Sequence, residues 1–137
     1  SNQMVELNKL KSKFVVLYFY PKDNTSGCTI ETNDFNKLLS KFKKYDCEIF
    51  GISKDSMDSH NKWSKKLKLK FELLSDENKT SLKAYKVWAK KKFMGKEFLG
   101  TVRSTFIIKN KKIIKEWRNV RVAGHAEEVL DFVKNYK

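Results

Sequence analysis

Apolar and polar positions change period several times along the chain, and each change predicts an element. Phe14 to Tyr20 is a continuous apolar, β-branched and aromatic run that ends at Pro21, the only proline. Such a run reads as a central strand covered on both faces. From Cys28 to about Phe42 the positions Phe35, Leu38, Leu39 and Phe42 form a helical stripe, the mark of an amphipathic helix. Glu31 and Asp34 are expected in its first turns, where acids complement the helix dipole.

Cys47 to Ser53 predicts a second strand. Ser56 to Leu69 predicts a second helix, with Trp63 and Leu67 one turn apart, lysines on the outer face and His60 on the helix surface. Phe71 to Leu74 reads as a short strand and Lys79 to Tyr85 as a short helix. Val87 to Gly100 reads as a basic loop holding Trp88 and Phe93, each expected to pack into the core or to line the mouth of a site. Thr101 to Ile108 and Lys112 to Asn119 predict a hairpin around Lys109-Asn110-Lys111. Gly124 opens a last helix with Val129, Leu130 and Val133 inward and His125 packing at its start. Met4 to Leu10 suggests a strand remnant and turn, and Ser1-Asn2 fits the scar of a cleaved tag.

The predicted order is β-α-β-α-β-α-β-β-α. Alternation of this kind makes an α/β fold with a mixed central sheet and helices on both faces. The 137 residues suit one domain, 1–137, and 40% hydrophobic residues suffice for a core. No apolar run is long enough to span a bilayer.

Chemistry concentrates where the first strand turns into the first helix. Cys28 falls near that helix's first turn. The first backbone N–H groups of a helix lack intrahelical partners, and the dipole adds positive potential there. Both favour an anion, and the thiolate is the nucleophilic form of cysteine. Pro21 fixes the turn out of the strand, and Gly27 lets the backbone come close to whatever approaches the sulfur. An inert buried thiol is the other reading of Cys28, and local physics alone leaves both open.

These residues carry a family resemblance. Pro21-x-x-x-Thr25-x-x-Cys28 resembles the peroxiredoxin active-site motif. Its extended form, from Tyr18-Phe19-Tyr20-Pro21-Lys22-Asp23 through Gly27-Cys28-Thr29 and Glu31, is similar to the peroxiredoxin Q branch, also called bacterioferritin comigratory protein. Gly51-Ile52-Ser53 with Asp55, Leu74-Ser75-Asp76, Arg103-Ser104-Thr105-Phe106 and Ala123-Gly124-His125-Ala126 continue the likeness in order, from about Phe14 to Val133. The resemblance implies a thioredoxin fold of the peroxiredoxin type. It also implies a family N-terminal hairpin that is incomplete here, because the chain begins too late to hold all of it.

The resemblance further implies a peroxidase with neither metal nor organic cofactor, reducing hydrogen peroxide or alkyl hydroperoxides through a cysteine sulfenic acid. Cys28 would be the nucleophile. Thr25 would hydrogen-bond the thiolate or the peroxide oxygen, and Pro21 would shield the sulfur from water. Arg103 would be the fixed cation that favours the thiolate and the leaving oxygen. Glu31, one turn after Cys28, would orient Arg103 through a bidentate pair, or else serve only the helix start.

Relatives often carry a second, resolving cysteine five residues after the first or on the next helix. Here Asn33 stands at that place, and Ser56 to Leu69 has no cysteine. Cys47 is the other candidate, and it reads as a structural thiol at the start of a strand. A one-cysteine enzyme follows, with an external thiol reductant: glutathione, glutaredoxin or thioredoxin. The branch's common state points to a monomer or weak dimer.

Net charge is +14, with lysines far outnumbering arginines, which occur only at 103, 118 and 121. That balance allows binding to nucleic acid or chromatin. A basic thioredoxin-fold module with secondary redox activity is therefore the alternative function. No nucleic-acid motif accompanies the lysines, and solvated faces explain them as well. Two cysteines without C-x-x-C, and only two histidines, argue against a zinc site and a disulfide framework. They fit an intracellular reducing compartment, cytoplasm or nucleus.

Overall fold

A computed structural model describes residues 12–136. Ser1-Asn2 and the Met4 to Leu10 remnant lie outside the described residues. The elements run β1 (Phe14–Phe19), α1 (Ser26–Lys44), β2 (Cys47–Ser53), α2 (Met57–Leu67), β3 (Glu72–Ser75) and α3 (Thr80–Ala84). Then come β4 (Trp88–Phe93), β5 (Lys96–Thr101), β6 (Ser104–Lys109), β7 (Lys112–Arg118) and α4 (His125–Asn135).

The main sheet has the order β3-β2-β1-β6-β7. β1 pairs parallel with β2 and antiparallel with β6, so the sheet is mixed. β1 is central because every one of its side chains is apolar and buried. Its alternate residues feed two cores. Phe14, Val16 and Tyr18, with Tyr20 beyond the strand, join Phe35, Leu39 and Phe42 of α1 and Val129 and Val133 of α4. Val15, Leu17 and Phe19 face the other way, toward Phe50, Leu82 and Phe106.

Gly51 makes one close approach possible. It stands opposite Tyr18 in the β1–β2 register. A Cβ at Gly51 would come within 2.7 Å of the Tyr18 ring and hydroxyl and 2.8 Å of Leu73. The Tyr18 phenol fills that space, and its hydroxyl shares a 2.9 Å hydrogen bond with Thr32 of α1.

The structure corrects three expectations. Val87 to Gly100 is not a loop but largely the β4–β5 hairpin, a separate two-stranded sheet. Its two-residue turn places Met94 at φ 53° and Gly95 at φ 79°, the positive-φ pair that matches hairpin twist. The lysine-rich strands Trp88-Ala89-Lys90-Lys91-Lys92-Phe93 and Lys96-Glu97-Phe98-Leu99-Gly100-Thr101 show no clean alternation, because most of β5 is solvent-exposed. Trp88 packs half-buried against the second core.

The second correction concerns α1. It begins at Ser26, with no acid in its first turn, so Glu31 and Asp34 stand beyond the dipole's positive end. The third is His60, which is buried rather than on the surface. His60, Trp63 and Leu67 form one inward stripe, because the loop after β1 supplies a polar partner for the imidazole. The β6–β7 hairpin turns at Asn110 and Lys111 as expected, both at positive φ. His125 packs at the start of α4, edge-on to Phe35 and Trp117. No helix among the described residues is long and apolar enough to cross a membrane.

Candidate active site

β1 delivers the chain to the site. The Tyr20 N–H still donates to Ile52 O at 3.1 Å, and half-buried Pro21 then carries the chain off the sheet. Thr25 is the N-cap of α1, with extended backbone (φ −98°, ψ 158°). The first helical bond runs from Thr29 N–H to Thr25 O at 2.8 Å. The amides of Ser26, Gly27 and Cys28 precede it and find no acceptor within the helix. Cys28 is the third residue of α1, and it is 0% exposed.

Arg103 arrives from the neighbouring strand. Ser104 pairs with Phe19, so the start of β6 holds Arg103 beside the end of β1. Its guanidinium divides its donors. Nη2 donates to Cys28 Sγ at 3.3 Å, and Nη1 donates to Glu31 Oε1 at 2.7 Å. The expected bidentate pair is therefore a split fork, one prong on the carboxylate and one on the sulfur. Glu31 Oε2 is buried without a hydrogen-bond partner. Glu31 sits a turn after Cys28 with its side chain fully buried, which rules out a mere helix-start role. Gly27 leaves room for the fork, since a Cβ there would stand 3.3 Å from Arg103 Nη2.

The electrostatics follow from burial. Burial pushes the Glu31 carboxyl up to about 7, against the pull of Arg103. Burial also works against the charge of Arg103, but Glu31 and Cys28 outweigh it and hold the guanidinium above its ordinary value. A guanidinium stays charged in any case, so the sulfur faces a permanent cation.

Thr25 is exposed, and its hydroxyl donates to Lys22 O at 2.9 Å rather than to the sulfur. Cys47 stands apart, paired with Phe14 at the opposite end of β1 from Pro21. Five strand steps at about 3.3 Å each put the two cysteines' regions roughly 16 Å apart along β1. Disulfide geometry needs Cα atoms within about 7 Å. Cys47 is buried, free and pushed up to about 12 by burial and then by Glu48 and Asp46.

A cluster that sequence reasoning missed centres on Asp23, in the loop between β1 and α1. The Asp23 carboxylate accepts from Tyr20 Oη at 2.6 Å, Ser59 Oγ at 2.7 Å and His60 Nδ1 at 2.7 Å. The Asp23 N–H donates to Asp55 Oδ2 at 2.8 Å, and Ser53 Oγ donates to the same oxygen at 2.6 Å. Burial works to raise the Asp23 carboxyl, but hydrogen bonds from His60, Tyr20 and Ser59 hold it below its ordinary value. The usable signal was a lone acid between Pro21 and Thr25 together with the His60–Trp63–Leu67 spacing.

Comparison with known proteins identifies the family. The AhpC/TSA family model matches residues 1–117. Peroxiredoxin Bcp of Bacillus subtilis (strain 168) is 45% identical over 134 residues, 97% of this chain and 85% of that protein. Peroxiredoxin Bcp of Xanthomonas campestris pv. campestris is 43% identical over 122 residues, 88% of this chain and 76% of that protein. The bacterioferritin comigratory protein of Xanthomonas campestris has been solved in trapped intermediate and ligand complexes bearing on its alkyl peroxide reduction. It superposes with a TM-score of 0.85 at 43% identity, covering 90% of this chain and 79% of that one. These relatives are bacterial and lend the nuclear expectation no support. On the motif, the fold and these relatives together, the chain belongs to the AhpC/TSA family, in its peroxiredoxin Q/bacterioferritin comigratory protein branch, and is a thiol-dependent peroxidase.

Proposed function

We propose that Cys28 is the nucleophile of a one-cysteine peroxidase that takes hydrogen peroxide or alkyl hydroperoxides and is reset by an external thiol. The observation that carries this reading is the 3.3 Å contact of Arg103 Nη2 with Cys28 Sγ. The thiolate attacks one peroxide oxygen. An S–O bond forms, the O–O bond breaks, and the leaving alkoxide or hydroxide takes up a proton. The cysteine becomes a sulfenic acid and the peroxide an alcohol or water. Arg103 stabilises the thiolate before reaction and, as charge moves, the leaving oxygen. The Thr25 hydroxyl spends its proton on Lys22 O, so its lone pairs are free to accept from the peroxide O–H. Pro21 screens the sulfur from water. Glu31 holds Arg103 in place.

A thiol then attacks the sulfenic sulfur and releases water, and a second thiol releases Cys28 and leaves as a disulfide. The reductant is glutathione, glutaredoxin or thioredoxin, in a reducing cytoplasm. The distance along β1 and the raised thiol of Cys47 argue against an internal disulfide. Alkyl hydroperoxides enter the proposal through the Xanthomonas campestris relative. Monomer or weak dimer is the expected state.

Intact mass after one equivalent of hydrogen peroxide, with dimedone as the trap, tests the reading. A dimedone adduct on Cys28 with Cys47 free is expected. A Cys28–Cys47 disulfide overturns the one-cysteine mechanism, and an unchanged mass overturns the assignment of Cys28.

A further inference from the structure

Asp23 lies midway between Pro21 and Thr25, the two residues that set the catalytic loop, yet its side chain is buried against α2. It is 5% exposed and gathers donors from two separate elements, Tyr20 at the end of β1 and Ser59 and His60 on α2. Its own N–H is fixed by Asp55, which is in turn held by Ser53 at the end of β2. Hydrogen bonds to a buried charge are among the stronger ones, and leaving one partner unpaired costs more than the bond's net value. The loop has few other anchors. Thr25 donates to Lys22 O and, as the N-cap, accepts from the Thr29 N–H, and Lys66 reaches Asn24 on the surface at 3.0 Å.

The His60 ring makes the arrangement specific. Nδ1 faces the Asp23 carboxylate at 2.7 Å and Nε2 faces Leu74 O at 3.1 Å. The two ring nitrogens bridge two separate elements. His60 thus joins the catalytic loop to β3 through α2. Cys28 is wholly buried, so bulky thiol reagents reach it only when the chain around it opens.

We propose that Asp23, held by His60 and Ser59, is a positioning residue that latches the catalytic loop closed over Cys28. The latch sets how often the sulfur is presented to peroxide in working geometry and how often it is bared to bulkier thiol reagents. The inference rests on Cys28 being the reacting thiol. The role is positional, since none of these side chains is placed on the reacting atoms.

The test compares two rates in the full chain: oxidation by hydrogen peroxide, and alkylation of each cysteine by N-ethylmaleimide read by peptide mass. Cys47 is the internal control, being equally buried but at the far end of β1. Asp23→Asn and His60→Gln are expected to slow peroxide oxidation and speed Cys28 alkylation, each about tenfold, with Cys47 labelling unchanged. His60→Asn keeps a donor at the position of Nδ1 and gives up only the Leu74 contact, so it is expected to restore both rates. Ser59→Ala removes one of three donors with little change in volume and is expected to show a smaller effect of the same sign.

Cys28 and Cys47 labelling that rise together in all variants would show general loosening and overturn the latch. A slower oxidation with unchanged Cys28 labelling, or a His60→Gln variant as good as His60→Asn, would overturn it as well. Failure of the underlying assignment looks different. Cys28→Ser would then still reduce peroxide, whatever the labelling rates of the loop.

Discussion

Arg103 Nη2 and Cys28 Sγ lie 3.3 Å apart although 75 positions separate them. Neither residue is brought there by its own loop. The pairing of Ser104 with Phe19 sets one, and the start of α1 sets the other. The same guanidinium grips Glu31 at 2.7 Å, so the sulfur's cation is fixed from two directions.

Arg103→Lys tests the fork. A lysine has one ammonium and cannot hold the two contacts in a single plane. The rate of oxidation by hydrogen peroxide is expected to fall by about tenfold to a hundredfold, the range for losing a hydrogen bond to a charged group. Stopped-flow fluorescence of the reduced enzyme reads it, and a rate within twofold of wild type would remove Arg103 from the mechanism.

Glu31→Gln tests the buried acid. Folded, Glu31 holds its proton up to about 7, against an ordinary carboxyl value of 4.5. Between these values the folded state binds more protons than the unfolded state, so stability falls as pH rises through that window. The glutamine does not titrate. Urea denaturation across the window should therefore show wild type declining toward pH 7 relative to Glu31→Gln. Parallel curves would mean that Glu31 is ionised throughout.

Gly27→Ala tests the space beside the fork. The added methyl would sit 3.3 Å from Arg103 Nη2, close enough to push the guanidinium by a few tenths of an ångström. Peroxide reactivity should drop several-fold while the melting temperature moves little, because α1 accepts alanine readily. An unaltered rate would show that the fork tolerates displacement.

Gly51→Ala tests the core behind the site. Its Cβ would meet the Tyr18 ring and hydroxyl at 2.7 Å and Leu73 at 2.8 Å. Tyr18 is fully buried and stacks on Phe35 at 4.7 Å, so it has no room to retreat. A loss of about 1–3 kcal/mol or more is expected in equilibrium unfolding.

Cys47→Ala tests the division of labour between the thiols. With an external thiol supplied, turnover should stay within about twofold of wild type, while removal of a buried side chain lowers stability modestly, on the order of 1 kcal/mol. A turnover that collapses while the first oxidation stays fast would assign Cys47 to resolution.

Much of this arrangement was legible in the sequence. The run from Phe14 to Tyr20 marked the central strand because apolar residues on both faces leave it nowhere else to go. The stripe Phe35, Leu38, Leu39, Phe42 gave α1 its buried face. Pro21, Thr25, Cys28 and Arg103 stood out by motif, and the structure brings Cys28, Arg103 and Glu31 together. The β4–β5 hairpin was hidden because strands held mainly by each other need not alternate in polarity. His60 was misplaced because burial of an imidazole depends on a partner 37 positions away, which local periodicity cannot see. Asp23 had the same difficulty: a loop acid looks solvated until α2 is folded against it.

The position of β6 beside the central strand also bears on when the site is assembled. Val15 pairs with Ile108, and Phe19 with Ser104, across most of the chain. Contacts of such long sequence separation form late and slowly in folding. A growing or half-folded chain thus has Cys28 long before Arg103 is seated beside it. On the proposed role of Arg103, its thiol should behave as an ordinary one through synthesis, and fast peroxide reactivity should appear only as β6 enters the sheet. Gain of fast reaction with peroxide during refolding is therefore a clock for the last long-range pairing rather than for the formation of α1.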